Sequence, residues 1–327
     1  MAHTPERFTL WGIEVFLATV EEASISVAAR RLKASPATVS QQLTNLETAL
    51  GVVLLDRSSR PVLPTPAGEI FRVRAQAIIN EAQQARAELG MADLSALSSF
   101  RFGVIEDFDA DVTPKLLQRL AGQLKASRFL LETGASHRLF DQLETRALDM
   151  IVAADLDEGA DWLEVHPIVR EPFVAAVPRA AKLGPRPSMQ SLRALPLIQY
   201  TERHLMGRVI AAHLAREGLR LERRFELDSY HAILAMVAEG VGWSILTPLG
   251  WRRAERFVDA VDIVPLPCAP LERRISLMAR AGLLQNMPRD TAESLRDIVQ
   301  SEIVGPTTQE HPWMQGRLKV LAANELT

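Results

Sequence analysis

Residues 24–51 read Ser24-Ile-Ser-Val-Ala-Ala-Arg-Arg-Leu-Lys-Ala-Ser35-Pro-Ala-Thr-Val-Ser-Gln-Gln-Leu-Thr-Asn-Leu-Glu-Thr-Ala-Leu50-Gly51. Ser24 or Ser26 can cap a helix over residues 27–32, with Ala28, Ala29 and Leu32 inward, and Lys33-Ala34 makes a turn. Ser35-Pro36 places an N-cap before a proline at the first helical position, a strong start signal. The helix it opens buries Val39, Leu43, Leu46 and Leu50, and Gly51 stops it. Small residues at the crossing and apolar residues beneath it predict two helices packed steeply over a short turn. The outer face of the second then carries Thr38, Ser40, Gln41 and Asn45, short hydrogen-bonding side chains suited to base edges and phosphates. The same spacing suits a three-helix unit that binds nothing, so spacing alone leaves nucleic acid open.

Working outward, residues 11–20 form an earlier helix with Ile13, Phe16, Leu17 and Val20 on one face. Two extended pieces, residues 53–55 and 62–63, flank Asp56-Arg57-Ser58-Ser59-Arg60-Pro61, which sets Arg57 and Arg60 at the height of a phosphate backbone. A long helix starts at Thr65-Pro66. Its apolar and small positions are Phe71, Ala75, Ile78, Ala82, Ala85, Leu89, Ala92 and Ala96, a seven-residue repeat that specifies a two-helix seam. Phe71, Ile78, Ala85 and Leu89 are the expected dimerisation residues; a helix packed on its own domain is the alternative.

From residue 99 short apolar strands alternate with amphipathic helices: strands near 100–105, 128–132 and 149–153, helices near 114–125 and 136–146. A second set follows, with strands near 173–177, 197–200, 221–227 and 242–246 and helices near 205–217 and 230–239. This alternation predicts mostly parallel sheets in two α/β units with a ligand cleft between them. Residues 232–251 are 20 long with one charge, Glu239, but Gly240, Gly242 and Pro248 interrupt them, so a buried helix–turn–strand is expected rather than a membrane span. The residues after Gly305-Pro306 read as an added tail with a short helix near 314–323.

The chain has 327 residues, a net charge of −3 and one cysteine, Cys268. A single cysteine excludes a disulfide framework, a cysteine-rich zinc site and an intramolecular redox switch, and fits a reducing cytosol. No export signal is expected from the N-terminal residues, which include acidic side chains and no apolar core of signal-peptide length. Whole-chain acidity argues weakly against nucleic acid, but residues 26–61 hold five basic side chains against two acidic ones. Gly242-Trp-Ser244 lacks the second glycine of a nucleophile elbow, and no phosphate-binding loop occurs. The histidines lack metal-ligand spacing, so no metal, cofactor or catalytic residue is expected.

The run Ser24 to Leu32, then Ser35 to Glu47, Leu50-Gly51, Leu54-Leu-Asp-Arg57 and Thr65-Pro-Ala-Gly68 resembles the LysR-type transcriptional regulators. Leu148-Asp149-Met-Ile-Val and Glu239-Gly-Val-Gly-Trp-Ser-Ile-Leu-Thr-Pro248 extend the resemblance over residues 10–304. It implies an α/β multidomain chain: a winged helix–turn–helix over 1–65, a dimerisation linker helix over 66–98, and a periplasmic-binding-protein-like effector domain over 99–304. Within the last, subdomain I takes 99–169 and 281–304 and subdomain II takes 170–280; a tail covers 305–327. The implied function is sequence-specific transcriptional regulation under a small-molecule effector. The implied partners are double-stranded promoter DNA, a second copy or a homotetramer, and RNA polymerase, with no membrane. A solute-binding protein or enzyme with an accessory helix–turn–helix is the alternative.

Arg31, Ser35, Thr38, Ser40, Gln41, Asn45, Arg57 and Arg60 are the expected DNA contacts. The family usually carries Gln where Pro36 stands, Arg or Lys near Thr44, and Phe at Leu55, which shifts readout to Thr38, Ser40 and Gln41. The expected effector contacts are Glu106, Asp107, Ser136, His137, Tyr200, Thr201, Arg203 and Thr247, with Ser136 equally a helix cap. The acidic run Glu106, Asp107, Asp109, Asp111 is either a solvated loop or a device that repels carboxylates, whereas Arg203 and His204 favour an anion.

Overall fold

Helix α1 (Leu10–Glu22) starts where Thr9 Oγ1 accepts the Gly12 amide at 3.0 Å, and α2 (Ile25–Arg31) starts at Ser24 in the same way. Helix α3 (Pro36–Leu50) is capped by Ser35, whose hydroxyl accepts the Thr38 amide, and stops at Gly51 with φ +68°. A two-stranded wing, β1 (Leu55–Asp56) against β2 (Leu63–Pro64), leads into α4 (Pro66–Glu88). The computed structural model describes residues 7–88, 99–124, 127–155 and 160–323, in two compact units divided after residue 92. Ile13, Phe16, Val39, Leu43, Leu46 and Leu54 form the first unit's core. Gly68 lets α4 start against the wing: a Cβ there would lie 2.0 Å from the Leu54 carbonyl oxygen.

Helix α4 packs part of the expected seam on its own unit. Ala75 and Ile79 are buried in the unit's own core, and Phe71 and Ile78 pack against it. Phe71 meets Phe16 edge-on, with ring centroids 5.2 Å apart. A 3.5-residue stripe and a domain-facing stripe coincide over these two turns, and the nearer core takes the side chains. Ala85 is exposed, Leu89 lies outside the described residues, and the large apolar side chains α4 leaves in solvent are Ile70 and Val73.

The second unit has two lobes. In lobe I, β3 (Ser99–Ile105), β4 (Arg128–Gly134) and β5 (Met150–Ala154) run parallel, connected by α5 (Thr113–Gln123) and α6 (Ser136–Glu144). Strand β12 (Glu272–Arg280) pairs antiparallel with β5 and with β6 (Leu163–Pro172). In lobe II, β7 (Val174–Pro178) is flanked antiparallel by β10 (Ser244–Leu246) and β11 (Val261–Pro265). Beside them β8 (Leu197–Tyr200) and β9 (Arg223–Leu227) run parallel. Helices α7 (Met189–Leu192), α8 (Leu205–Arg216), α9 (Tyr230–Ala238) and α10 (Pro248–Arg253) complete this lobe. The sheets are mixed rather than mostly parallel, because the chain crosses between lobes twice and returns along β12. The crossings are tied together where the Phe173 amide donates to the Leu271 carbonyl at 2.7 Å. Residues 272–280 therefore belong to lobe I, and the expected second subdomain of 170–280 is too long at both ends.

Helix α11 (Met287–Val299) covers lobe I and runs through a wider turn into α12 (Gly305–Glu310). The expected tail helix near 314–323 is absent from the described residues there; a turn at Pro312–Met314 leads to β13 (Lys319–Val320), which pairs with β6. Met314, Leu318 and Leu321 are buried. The last strand covers the β6 edge and supplies core side chains, so it is part of the lobe and not an appendage. Residues 232–251 form α9, a turn, β10 and the start of α10. Among the described residues no helix is long and apolar enough to cross a membrane.

Candidate nucleic-acid interface and ligand cavity

Helix α3 buries Val39, Leu43 and Leu46 and turns Thr38, Gln41 and Asn45 to solvent, with Ser40 half-buried. Gln41 Nε2 donates to Asn45 Oδ1 at 2.8 Å, one turn apart, so the two amides are aligned along one face. Ser35 and Thr38 hydroxyls lie 2.8 Å apart at the cap, spending part of their capacity inside the helix.

The cations divide into two kinds. Arg31 is held by Glu21 at 2.5 Å and Glu22 at 3.0 Å. Arg57 pairs with Glu47 and donates to Thr44 Oγ1 at 3.1 Å. Glu47 Oε1 meanwhile accepts the Leu54 and Leu55 amides at 2.8 and 3.1 Å. Arg57 thus braces α3 against the wing. Arg60 is exposed. Arg30 and Lys33, which sequence reasoning counted only as charge, are also exposed, around the turn before α3.

In the second unit a cavity of about 110 Å³ lies between the lobes. Glu106, Asp107, Ser136, His137 and Tyr200 line it; Thr201, Arg203 and Thr247 do not. Thr201 is buried and donates to Glu226 at 2.5 Å, and Arg203 is exposed. Thr247 caps α10. Ser136 is not a side-chain cap: its Oγ accepts the Ala154 amide at 3.1 Å, fastening α6 to the end of β5.

Sequence reasoning missed the group that organises the cavity, Arg273. Its guanidinium donates to Glu171 at 2.7 Å, to Asp107 at 2.8 Å and to Thr247 Oγ1 at 3.2 Å. Glu171 stands directly opposite it in the β6–β12 register and is fully buried. Burial alone would depress Arg273, but Asp107 and Glu171 more than offset that and keep it protonated. Tyr230 Oη, on lobe II, donates to Asp107 at 3.2 Å; burial, then Asp107, raise its phenol far above the ordinary range. Arg253, on α10, holds Glu106 at 2.8 Å and Asp109 at 2.9 Å. Arg253 and Arg273 neutralise three of the run's four carboxylates, while Asp111 is exposed and Glu106 half-exposed. No signal near Glu106 could have shown this, because both arginines lie far along the chain.

A winged helix–turn–helix, followed in the chain by a two-lobed α/β domain with a small interlobe cavity, defines a ligand-responsive DNA-binding regulator. Residues 10–69 match the family model for bacterial regulatory helix-turn-helix proteins of the lysR family, and residues 96–302 match the LysR substrate binding domain. The chain belongs to the LysR family of transcriptional regulators. It is 27% identical over 294 residues to the hydrogen peroxide-inducible genes activator of Dickeya chrysanthemi, covering 88% of this chain and 95% of that one. It is likewise 27% identical to the DNA-binding transcriptional dual regulator OxyR of Escherichia coli over 289 residues, 87% and 93% of the two chains. A full-length OxyR cysteine-to-aspartate variant from Pseudomonas aeruginosa shares the fold, with TM-score 0.61, 24% identity and coverage of 89% and 95%.

Proposed function

We propose that this regulator reads promoter DNA with the α3 face of Thr38, Ser40, Gln41 and Asn45, and that Arg60 meets phosphates while Arg57 holds the wing in place. The aligned Gln41–Asn45 pair on the solvent face carries this reading, since amide side chains match the adenine edge in the major groove. Dimers, or tetramers built from them, set two such helices on paired half-sites. The exposed Ile70 and Val73 of α4 supply the apolar surface for that pairing in place of Phe71 and Ile78. RNA polymerase is the remaining macromolecular partner in this scheme.

A small molecule in the interlobe cavity shifts the population between lobe arrangements and so alters DNA binding. Peroxide chemistry does not transfer from the named relatives. Cys268 is the only cysteine, so the chain forms no internal disulfide, and burial, then Glu217, raise its thiol above the ordinary value and leave little thiolate. A gel-shift titration with the gene's own upstream DNA tests the function. Binding tighter than to random DNA of equal length across several salt concentrations supports it; equal binding overturns it.

A further inference from the structure

The interlobe cavity keeps two unlike groups unpaired on its wall. Asp155 Oδ1 and His137 Nδ1 are both buried without a hydrogen-bond partner, and both residues line the cavity. The charges around them are already committed. Asp107 is paired with Arg273, Glu106 with Arg253, and the other oxygen of Asp155 with Arg274. Arg273 holds Glu171, Asp107 and Thr247 through Nε and Nη2, so its charge is matched by two carboxylates, and its Nη1 lies 3.9 Å from Met206 Sδ.

The wall still offers the Asp155 acceptor and a set of donors. The acceptor is Asp155 Oδ1. The donors are the His137 and His204 imidazoles, whose centroids stand 6.0 Å apart across the cleft, and the Ser136 hydroxyl, whose oxygen accepts the Ala154 amide and leaves its proton free. Phe173, Met206 and Val209 make the apolar part of the wall. A buried acceptor or donor left without a partner costs ~1–3 kcal/mol. A ligand that satisfies only one kind leaves the other exposed to that cost.

We propose that the cavity binds a small zwitterion, an α-amino acid with a compact apolar side chain. Its ammonium sits on Asp155 Oδ1, its carboxylate lies between His137 and His204 with Ser136, and its side chain packs on Phe173, Met206 and Val209. The cavity's volume of about 110 Å³ suits a molecule of this size and is well below the ~300 Å³ at which drug-sized sites begin. Arg138 and Arg208 add positive potential beside His137, with Asp141 opposing, which favours the carboxylate at that end. This inference rests on the cavity being the effector site.

The test uses the full chain with L-alanine, L-valine and L-leucine, and two single-ended relatives of leucine: 4-methylpentanoate, which lacks the ammonium, and 3-methylbutylamine, which lacks the carboxylate. Calorimetry and thermal shift should show one of the amino acids binding at least about tenfold more tightly than either single-ended compound. His137→Gln and Asp155→Asn should each weaken it about tenfold, while Cys268→Ser leaves it unchanged. If either single-ended compound binds as tightly as the best amino acid, or if none of the three amino acids binds, the proposal is overturned. If an amino acid binds as described but leaves DNA affinity and footprint unchanged, the ligand assignment stands and the effector reading falls.

Discussion

Asp107 and Arg273 meet at 2.8 Å although 166 residues separate them in the chain. Asp107 follows the first strand of lobe I, Arg273 opens the strand that returns from lobe II, and Tyr230 of lobe II donates to the same carboxylate. One guanidinium, bound also to Glu171 across the two crossing strands, thus sets the geometry of hinge and cavity together. Removing Arg273 strands two buried carboxylates, Asp107 and Glu171. Arg273→Met should destabilise the protein by ~3–5 kcal/mol, read as a lower urea midpoint, and Arg273→Met with Glu171→Met should recover part of that loss. A double variant no more stable than the single would show that Glu171 is not compensating Arg273.

Acid should loosen the second unit through its histidines. Burial, then His204, Arg208 and Arg138, hold His137 below its ordinary value of 6.5 despite Asp141. Burial does the same to His311, with Arg179 and Arg252 adding to it and Glu310 and Asp262 opposing. The folded state binds these protons less readily than the unfolded chain, so stability is fully present above 6.5 and falls as pH drops through that value towards the lower folded ones. Urea midpoints at pH 7.5, 6.5 and 5.5 should decline, and the decline should be shallower in His137→Gln with His311→Gln. An unchanged slope in that variant would remove both groups from the effect.

The last strand should behave as core. Leu318→Ala or Leu321→Ala should each cost ~2–5 kcal/mol, the range for buried large-to-small changes. Deleting residues 312–323 should lower the melting temperature further and expose the β6 edge to aggregation. A truncated chain as stable and as soluble as the full one would contradict the fold given to this segment.

What was legible from the residues follows how local each signal is. The caps Ser24, Ser35 and Thr65, the stop at Gly51 and the βα alternation are written within a few positions, and the helices and strands stand close to where those signals place them. The heptad of α4 was ambiguous because Phe71, Ala75 and Ile78 serve a seam and a domain core equally well, and only the position of Phe16 decides between them. The cavity was half legible. Turns after β3 and β4 could be located from alternation, but Glu171 and Arg273 lie in strand stretches whose charge pattern resembles an ordinary solvated face. The tail was misread because Leu318-Lys319-Val320-Leu321 is too short to declare a strand without its partner β6.

The wing arginines should separate by salt dependence. Arg60→Ala should weaken binding to specific and random DNA alike and reduce the slope of log affinity against log salt by about 1, as loss of one phosphate contact does. Arg57→Ala, which releases Glu47 and the wing, should weaken binding and lower the melting temperature with the slope nearly unchanged. A slope loss in Arg57→Ala equal to that of Arg60→Ala, with normal stability, would make Arg57 a direct phosphate contact.

In the proposed function, α3 reads sequence through Gln41 and Asn45. Gel-shift affinities of the wild type and of Gln41→Ala with Asn45→Ala, on the gene's own upstream DNA and on random DNA at one salt concentration, test it directly. The double variant should lose about tenfold or more on the specific site, retain its random-DNA affinity, and keep the wild-type melting temperature. An undiminished ratio of specific to random affinity would contradict the account.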